Sequence, residues 1–270
     1  MTGAGGMLGR DVLRAAPDAV GLTRAELDIT DHRAVERTLR EVRPDAVVNC
    51  AAYTDVDGAE GDEDTATRVN GDGAGNVASA AAGVGAFVVQ PSTDYVFDGT
   101  NREPYVESDP TGPRSAYGRS KLTGEWCTAE SGAAHAIVRT AWLFGVAGKN
   151  FADTMLRLEG DVKVVDDQIG CPTYTGHLAA ALLEIAERGL TGVLHVAGGG
   201  ECSWHDFAAE IFRQAGRDVN LRPCATEDFP RPAPRPLYSV LRSERRDAPH
   251  LPAWRNGLRA YLAERAAVAT

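Results

Sequence analysis

Four apolar, β-branched runs separated by helix-length stretches constrain this chain more than any single motif. The runs are AVGLT (19–23), DAVVNCAA (45–52), AFVVQPS (86–92) and AIVRTAWLF (136–144). Between the first two, DHRAVERTLREV (31–42) sets Val35, Leu39 and Val42 on one helical face, and Pro44 ends the helix. Further helices are predicted over 63–83 and 115–130, with a short one over 10–16. Runs that are apolar throughout suit strands covered on both faces, so this alternation predicts an α/β fold with a doubly wound parallel sheet. Ligands of such a sheet gather at the carboxyl ends of its strands. The length of 270 residues, 43% of them hydrophobic, supplies a core of that size.

Beyond Gly145 the rhythm loosens. VKVVDD (162–167), a helix over about 176–188, the strand GVLHVAG (192–198), a helix from Ser203, the proline-rich FPRPAPRP (229–236) and a final helix over about 252–265 follow. The reading is a core domain of residues 1–145 and 174–198 with a small, discontinuous C-terminal lobe of residues 146–173 and 199–270.

Composition removes several function classes. The net charge of −10 and the absence of long like-charge blocks argue against nucleic acid. No run approaches the roughly 20 apolar residues of a membrane span, and no leader is visible, which predicts a cytoplasmic protein. Five scattered cysteines without CxxC, and histidines without HExxH spacing, predict neither disulfides nor a metal site. Cys171 reads as a small buried thiol. Trp126, Trp204 and Trp254 read as packing aromatics on helices.

Two motifs carry chemistry. Gly3, Gly6 and Gly9 in MTGAGGMLGR have the GxxGxxG spacing that lets a strand-to-helix turn close on a dinucleotide pyrophosphate. Tyr117 and Lys121 in YGRSK sit four apart, on one face of the 115–130 helix. With seven tyrosines and three lysines in the chain, such a pair arises by chance roughly 0.08 times. A nearby ammonium lowers the pKa of a phenol, which suits proton transfer to a carbonyl oxygen while a hydride arrives at carbon. Thr93 falls at the end of the strand upstream, where its hydroxyl can bond the same carbonyl. The run at 19–23 ends in Thr23-Arg24 without an acidic residue, so Arg24 is free to pair with a ribose 2′-phosphate.

GxxGxxG, NCAAYTDVDGAE (49–60), VN (69–70), STDYVFDG (92–99), YGRSK, RTAWLFG (139–145) and VVDDQIGCPTY (164–174) together resemble the dTDP-4-dehydrorhamnose reductase family of extended short-chain dehydrogenase/reductases. The resemblance covers almost the whole chain and implies a Rossmann-type fold. It implies NADPH-dependent reduction, with NADH also tolerated, of the C4 ketone of dTDP-4-dehydro-6-deoxy-L-mannose to dTDP-L-rhamnose. On the matching positions, Thr93, Tyr117 and Lys121 would be the catalytic trio, with Lys121 also binding the nicotinamide ribose. Gly3, Gly6, Met7, Leu8 and Gly9 would hold the pyrophosphate. Asp28 and Ile29 would flank the adenine, and Ala51, Ala52 and Tyr53 would line the cofactor groove. Asp94, Tyr95 and Trp142 would lie near the sugar. RPLYSVL (235–241) resembles a family segment near the nucleotide-sugar site, which makes Arg235 the first choice for the substrate diphosphate among Arg231, Arg235, Arg242, Arg245 and Arg246. Some family members form homodimers with help from Mg²⁺, whose ligands do not map onto this chain.

The family begins with a strand ending in TG, whereas only Met1 and Thr2 precede the first glycine. Residues upstream of Thr2, and segments near 16–19 and 158–161, are therefore expected to be missing from this sequence. Two rival functions stand beside the reductase. One is a related reductase of antibiotic deoxysugar synthesis resembling dihydrostreptose synthase. The other is a non-catalytic NADP-binding protein resembling the regulatory β subunit of methionine adenosyltransferase.

Overall fold

The computed structural model describes residues 1–268. The glycine loop feeds α1 (Met7–Ala15), which starts three residues earlier than expected because Gly6 itself takes the capping position. α2 (His32–Val42) opens on Asp31, whose carboxylate accepts the Ala34 amide, and closes on Arg43 in the left-handed region. β1 (Ala46–Val48), α3 (Val56–Gly61) and α4 (Glu63–Thr67) follow. A π-helical turn, Arg68–Asp72, joins α4 to α5 (Gly73–Val84), so the single helix expected over 63–83 is widened in its middle. The chain continues through β2 (Phe87–Thr93), a 3-10 turn at Asp94–Val96, α6 (Ala116–Glu130), β3 (His135–Thr140), β4 (Leu143–Phe144) and α7 (Phe151–Met155). β5 (Asp161–Val165), β6 (Ile169–Gly170), β7 (Thr173–Tyr174), α8 (Thr175–Arg188) and β8 (Gly192–His195) come next. β9 (Cys202–Ser203), α9 (Trp204–Gln214), β10 (Asn220–Cys224) and α10 (Trp254–Val268) complete the described chain.

The main sheet is parallel, in the order β1-β2-β3-β8. Thr2 extends it, bridging in parallel to Asn49 on one side and Leu22 on the other. Met1–Ala4 thus occupy the central strand position: the Thr2 amide donates to the Val48 carbonyl and the Leu22 amide to the Met1 carbonyl. The chain leaves Thr2 first toward Leu22 and then crosses to β1, which puts the topological switch, and the glycine loop, at one place. The expected strand at 19–23 shrinks to that bridge at Leu22. A tight turn closed by the Ala19 amide on the Ala16 carbonyl absorbs the run's start, and Val20 is exposed. The 136–144 run breaks after Thr140 because Trp142 adopts a positive φ of 47°. β10 was not expected: it is a largely exposed strand containing Pro223, paired only with β5.

Both faces of the sheet are covered, as its apolar runs require. Leu8 and Val12 of α1 join Leu178, Leu182 and Ile185 of α8 over Val48, Val89 and Val138. On the opposite face, Val35 and Leu39 of α2 and Val77 and Ala81 of α5 cover Val47 and Val88. Neighbouring valines of one strand therefore serve different cores. A further cluster, with Phe144, Phe207, Trp254 and Tyr261, gathers α7, α9, α10 and β5. Leu182→Ala, at a fully buried position, is expected to cost about 2–5 kcal/mol, read as a lower urea midpoint with an unchanged slope. Among the described residues no helix is long and apolar enough to cross a membrane.

Candidate active site

The glycine loop is held too closely for side chains. Gly3 has φ 71°, and a Cβ there would stand 2.4 Å from the Ala51 nitrogen; a Cβ on Gly9 would stand 2.2 Å from the Gly3 oxygen. No side chain caps α1 at Gly6, so its first amides are presented to the cleft, where an anion suits them. Two cavities meet at Gly6 and Ala52. One, of about 490 Å³, is lined by Gly3, Arg24, Asp28, Ile29, Ala51 and Tyr53. The other, of about 570 Å³, is lined by Met7, Leu8, Gly9, Thr93, Asp94, Tyr95, Tyr117, Lys121 and Trp142. Two cavities sharing one anion-binding turn fit the two halves of a dinucleotide. Asn70, in the π-helical turn, ties the groove wall to α6: its side chain accepts the Tyr53 amide (2.8 Å) and donates to the Tyr53 carbonyl (3.0 Å) and Ser120 Oγ (2.9 Å). Sequence reading placed Asn70 in a motif without a role, since that role depends on the widened turn.

The structure brings Thr93, Tyr117 and Lys121 to one wall. Ser115 caps α6 by accepting the Gly118 amide, and Gly118 lets the helix approach the Tyr95 carbonyl, which a Cβ would meet at 2.3 Å. The Tyr117 phenol lies beside the Thr93 hydroxyl, which donates to Asp94 Oδ1 at 3.0 Å. Lys121 Nζ donates to the Pro91 carbonyl at 2.7 Å. Burial pushes the Tyr117 phenol up to about 12, Asp94 adds to the rise, and the Thr93 bond opposes it. The lowering expected from Lys121 is not among the influences on this phenol, whose pKa is set first by burial, which penalises the phenolate. Burial likewise draws Lys121 down to about 8, against the raising influence of Glu125 and Cys50. Asp94, fully buried, rises to about 6 for the same reason, partly offset by the neighbouring Ser239 and Thr93 hydroxyls.

Trp142 closes the far side. Its positive φ turns it over Gly170, whose Cβ would lie 2.3 Å from the indole. It stacks on Trp204 with ring centroids 3.6 Å apart. Trp204 thus lines the cavity and is more than a packing residue, and Trp126 is 57% exposed; Trp254 alone of the three is buried as expected. Tyr95 and Trp204 also border a neighbouring cavity of about 420 Å³ that carries Lys163, Arg231 and Arg235. Arg235 is not free there: its Nη2 lies 2.9 Å from Asp57 Oδ1, and the Ala233 amide donates to the same oxygen. Arg245 is engaged elsewhere, with Asp247. Cys171 is a buried thiol whose sulfur accepts the Leu241 amide. Among the described residues, one group has metal-ligand spacing, Asp166, His205 and Asp206, next in sequence to the cavity-lining Val165 and Trp204; both aspartates are exposed, and Ser203 Oγ already donates to Asp166.

Comparison with known proteins agrees with this architecture. The sequence model described as RmlD substrate binding domain matches residues 1–267. The chain is 45% identical, over 97% of its length and 91% of the relative's, to a dTDP-4-dehydrorhamnose reductase of Mycobacterium tuberculosis. It is 42% identical, over 96% of its length and 92% of the relative's, to a probable dTDP-4,6-dihydroxy-2-methyloxan-3-one 4-ketoreductase of Streptomyces antibioticus. Its structure is similar to the crystal structure of a Bacillus anthracis dTDP-4-dehydrorhamnose reductase in complex with NADP, with a TM-score of 0.95, 40% identity and 97% of each chain covered.

Proposed function

Since the chain belongs to the RmlD substrate binding domain family, we propose that it reduces the C4 ketone of dTDP-4-dehydrorhamnose with NADPH to give dTDP-L-rhamnose. The observation that carries this is the meeting of Thr93, Tyr117 and Lys121 on the wall of a cavity that continues, through the glycine loop, into a second one. When bound, NADPH supplies the hydride. Gly3, Gly6, Met7, Leu8 and Gly9 would hold its pyrophosphate, Ala51, Ala52 and Tyr53 its groove, Asp28 and Ile29 its adenine, and Arg24 its 2′-phosphate. NADH would lack the last contact. Tyr117 holds its proton at neutral pH because its phenolate is buried, and gives it up to the oxygen of the ketone as negative charge develops there. Thr93 would turn its hydroxyl proton from Asp94 to that oxygen. Lys121, charged below about pH 8, stabilises the phenolate that remains. Asp94, Tyr95 and Trp142 would orient the sugar, and Arg235 would exchange Asp57 for the diphosphate.

This reading assigns the cofactor to residues 1–145 and 174–198 and the nucleotide sugar chiefly to 146–173 and 199–270. It is supported by the return of α8 and β8 to the main sheet and by the separate cluster around Phe207. A cytoplasmic location follows from a reaction on soluble nucleotide sugars, and Mg²⁺ is given no role.

The test is loss of NADPH absorbance on dTDP-4-dehydrorhamnose generated in situ, with the product identified by NMR. Turnover to dTDP-L-rhamnose is expected. The 42% identity to the Streptomyces antibioticus ketoreductase favours, as a second reading, a related deoxysugar reductase, which a different sugar product would select. Binding of NADPH without turnover of any keto-sugar would overturn both.

A further inference from the structure

Three consecutive residues of β2 are each engaged by α6. Pro91 receives Lys121, Thr93 meets Tyr117, and between them Ser92 Oγ donates to Glu125 Oε1 at 2.5 Å. Glu125 lies one helical turn beyond Lys121 and is 4% exposed. Its carboxylate is also held by Arg139 of β3, with Nε to Oε1 at 3.0 Å and Nη2 to Oε2 at 2.8 Å. Ser92 and Arg139 are register partners on adjacent strands, so Glu125 reaches the sheet where β2 and β3 pair. Arg139 is 5% exposed and lies over the Phe97 ring, 5.1 Å from its centroid. A carboxylate buried this deeply needs its partners, and a fully buried pair is a poor way to gain stability alone.

We infer that Glu125 is a positioning residue for the reduction, fastening α6 to the ends of β2 and β3 so that Tyr117 and Lys121 meet Thr93, and setting the charge beside Lys121. The inference rests on the reading of Tyr117 and Lys121 given above. The helix alone fixes the spacing of Tyr117, Lys121 and Glu125; the Ser92 and Arg139 bonds to Glu125, beside the Lys121 bond to Pro91, fix that row against the strand carrying Thr93. The electrostatic part follows from the groups around Lys121. Glu125 acts on it from α6, and Cys50 from the segment after β1. The Cys50 thiol is pushed up to about 12 by burial and is neutral at pH 8. The Met1 ammonium acts on Cys50, Asp94 acts on Tyr117, and Arg139 is neutralised by Glu125. Glu125 is therefore the anion that holds the Lys121 ammonium against its burial. Replacing it with a neutral group removes that support and also leaves the Arg139 charge uncompensated. Both changes lower the pH at which Lys121 loses its proton.

The test is the pH profile of kcat/KM for dTDP-4-dehydrorhamnose with the full chain and saturating NADPH. In the unaltered protein the alkaline limb is expected near pH 8. In Glu125→Gln, which keeps the shape but turns one of the two acceptor oxygens into an NH2 donor, the limb is expected to move down by about one pH unit. Activity then falls about fivefold at pH 8 but less than twofold at pH 6.5, as a one-unit shift requires. Glu125→Asp, which keeps the charge, should return the limb toward its original position. Equal loss at every pH, or an unmoved limb, would overturn the inference. If Glu125→Gln does not fold, Ser92→Ala removes one bond only; a kcat reduced about threefold or more, with NADPH affinity retained, supports the fastening role, and an unchanged kcat overturns it. Tyr117→Phe separates the two levels: its full turnover would overturn the site itself, whereas its inactivity beside an unmoved Glu125→Gln limb overturns only the role of Glu125.

Discussion

Tyr117→Phe is expected to lower kcat by about 100- to 10,000-fold, the range that general acid catalysis contributes, while changing NADPH affinity little. The variant removes one oxygen from a side chain whose ring is otherwise fixed. The ring packs edge-on against Tyr95, with centroids 5.7 Å apart, and α6 is anchored independently through Lys121 on Pro91 and Ser115 at its start. The lost group is the proton donor that Thr93 and the buried environment hold ready. Stopped-flow or steady-state oxidation of NADPH, beside a direct titration of NADPH, separates the two effects. Turnover within about threefold of the unaltered protein would remove Tyr117 from the proposed chemistry.

Gly9→Ala is expected to weaken NADPH binding at least about tenfold, or about 1.4 kcal/mol. Its methyl would stand 2.2 Å from the Gly3 oxygen, 3.0 Å from the Gly3 carbonyl carbon and 3.2 Å from the Ala4 Cα, all of them backbone atoms. The loop cannot retreat from it, because Gly3 already lies against the Cys50–Ala51 backbone on its other side. The turn must open, and the amides at the start of α1 lose their common focus. Overpacking should also cost about 1–3 kcal/mol of stability. Gly83→Ala is the control. A Cβ there meets nothing within 4 Å inside α5, so this change should leave binding intact and stabilise the helix by roughly 0.5–1 kcal/mol. A Gly9→Ala dissociation constant within about twofold of the original would contradict the assigned role of the loop.

Much of this architecture was legible in the sequence because it depends on local signals. The apolar runs at 45–52, 86–92 and 136–144 mark strands covered on both faces, α2 carries its own cap and periodicity, Ser115 caps α6, and Gly189 closes α8. The spacing of Gly3, Gly6 and Gly9, and of Tyr117 and Lys121, is a chain property that survives folding unchanged. Those patterns, with the family motifs, led to the α/β fold and the reductase reading. Tertiary structure decided what depends on partners distant in the chain. Whether Tyr117 rises or falls in pKa was set by burial and by Asp94, which no spacing reveals. Trp204 joins the cavity because a positive φ at Trp142, made possible by Gly170, brings the two indoles together. Arg235 meets Asp57 across 178 positions, and Glu125 meets Ser92 and Arg139 from separate strands. The sequence by itself thus determined which chemical groups this protein possesses and their order, since periodicity and spacing are local. Only the packed structure decided which of those groups share a buried environment, since burial and long-range pairing arise when distant segments exclude water together.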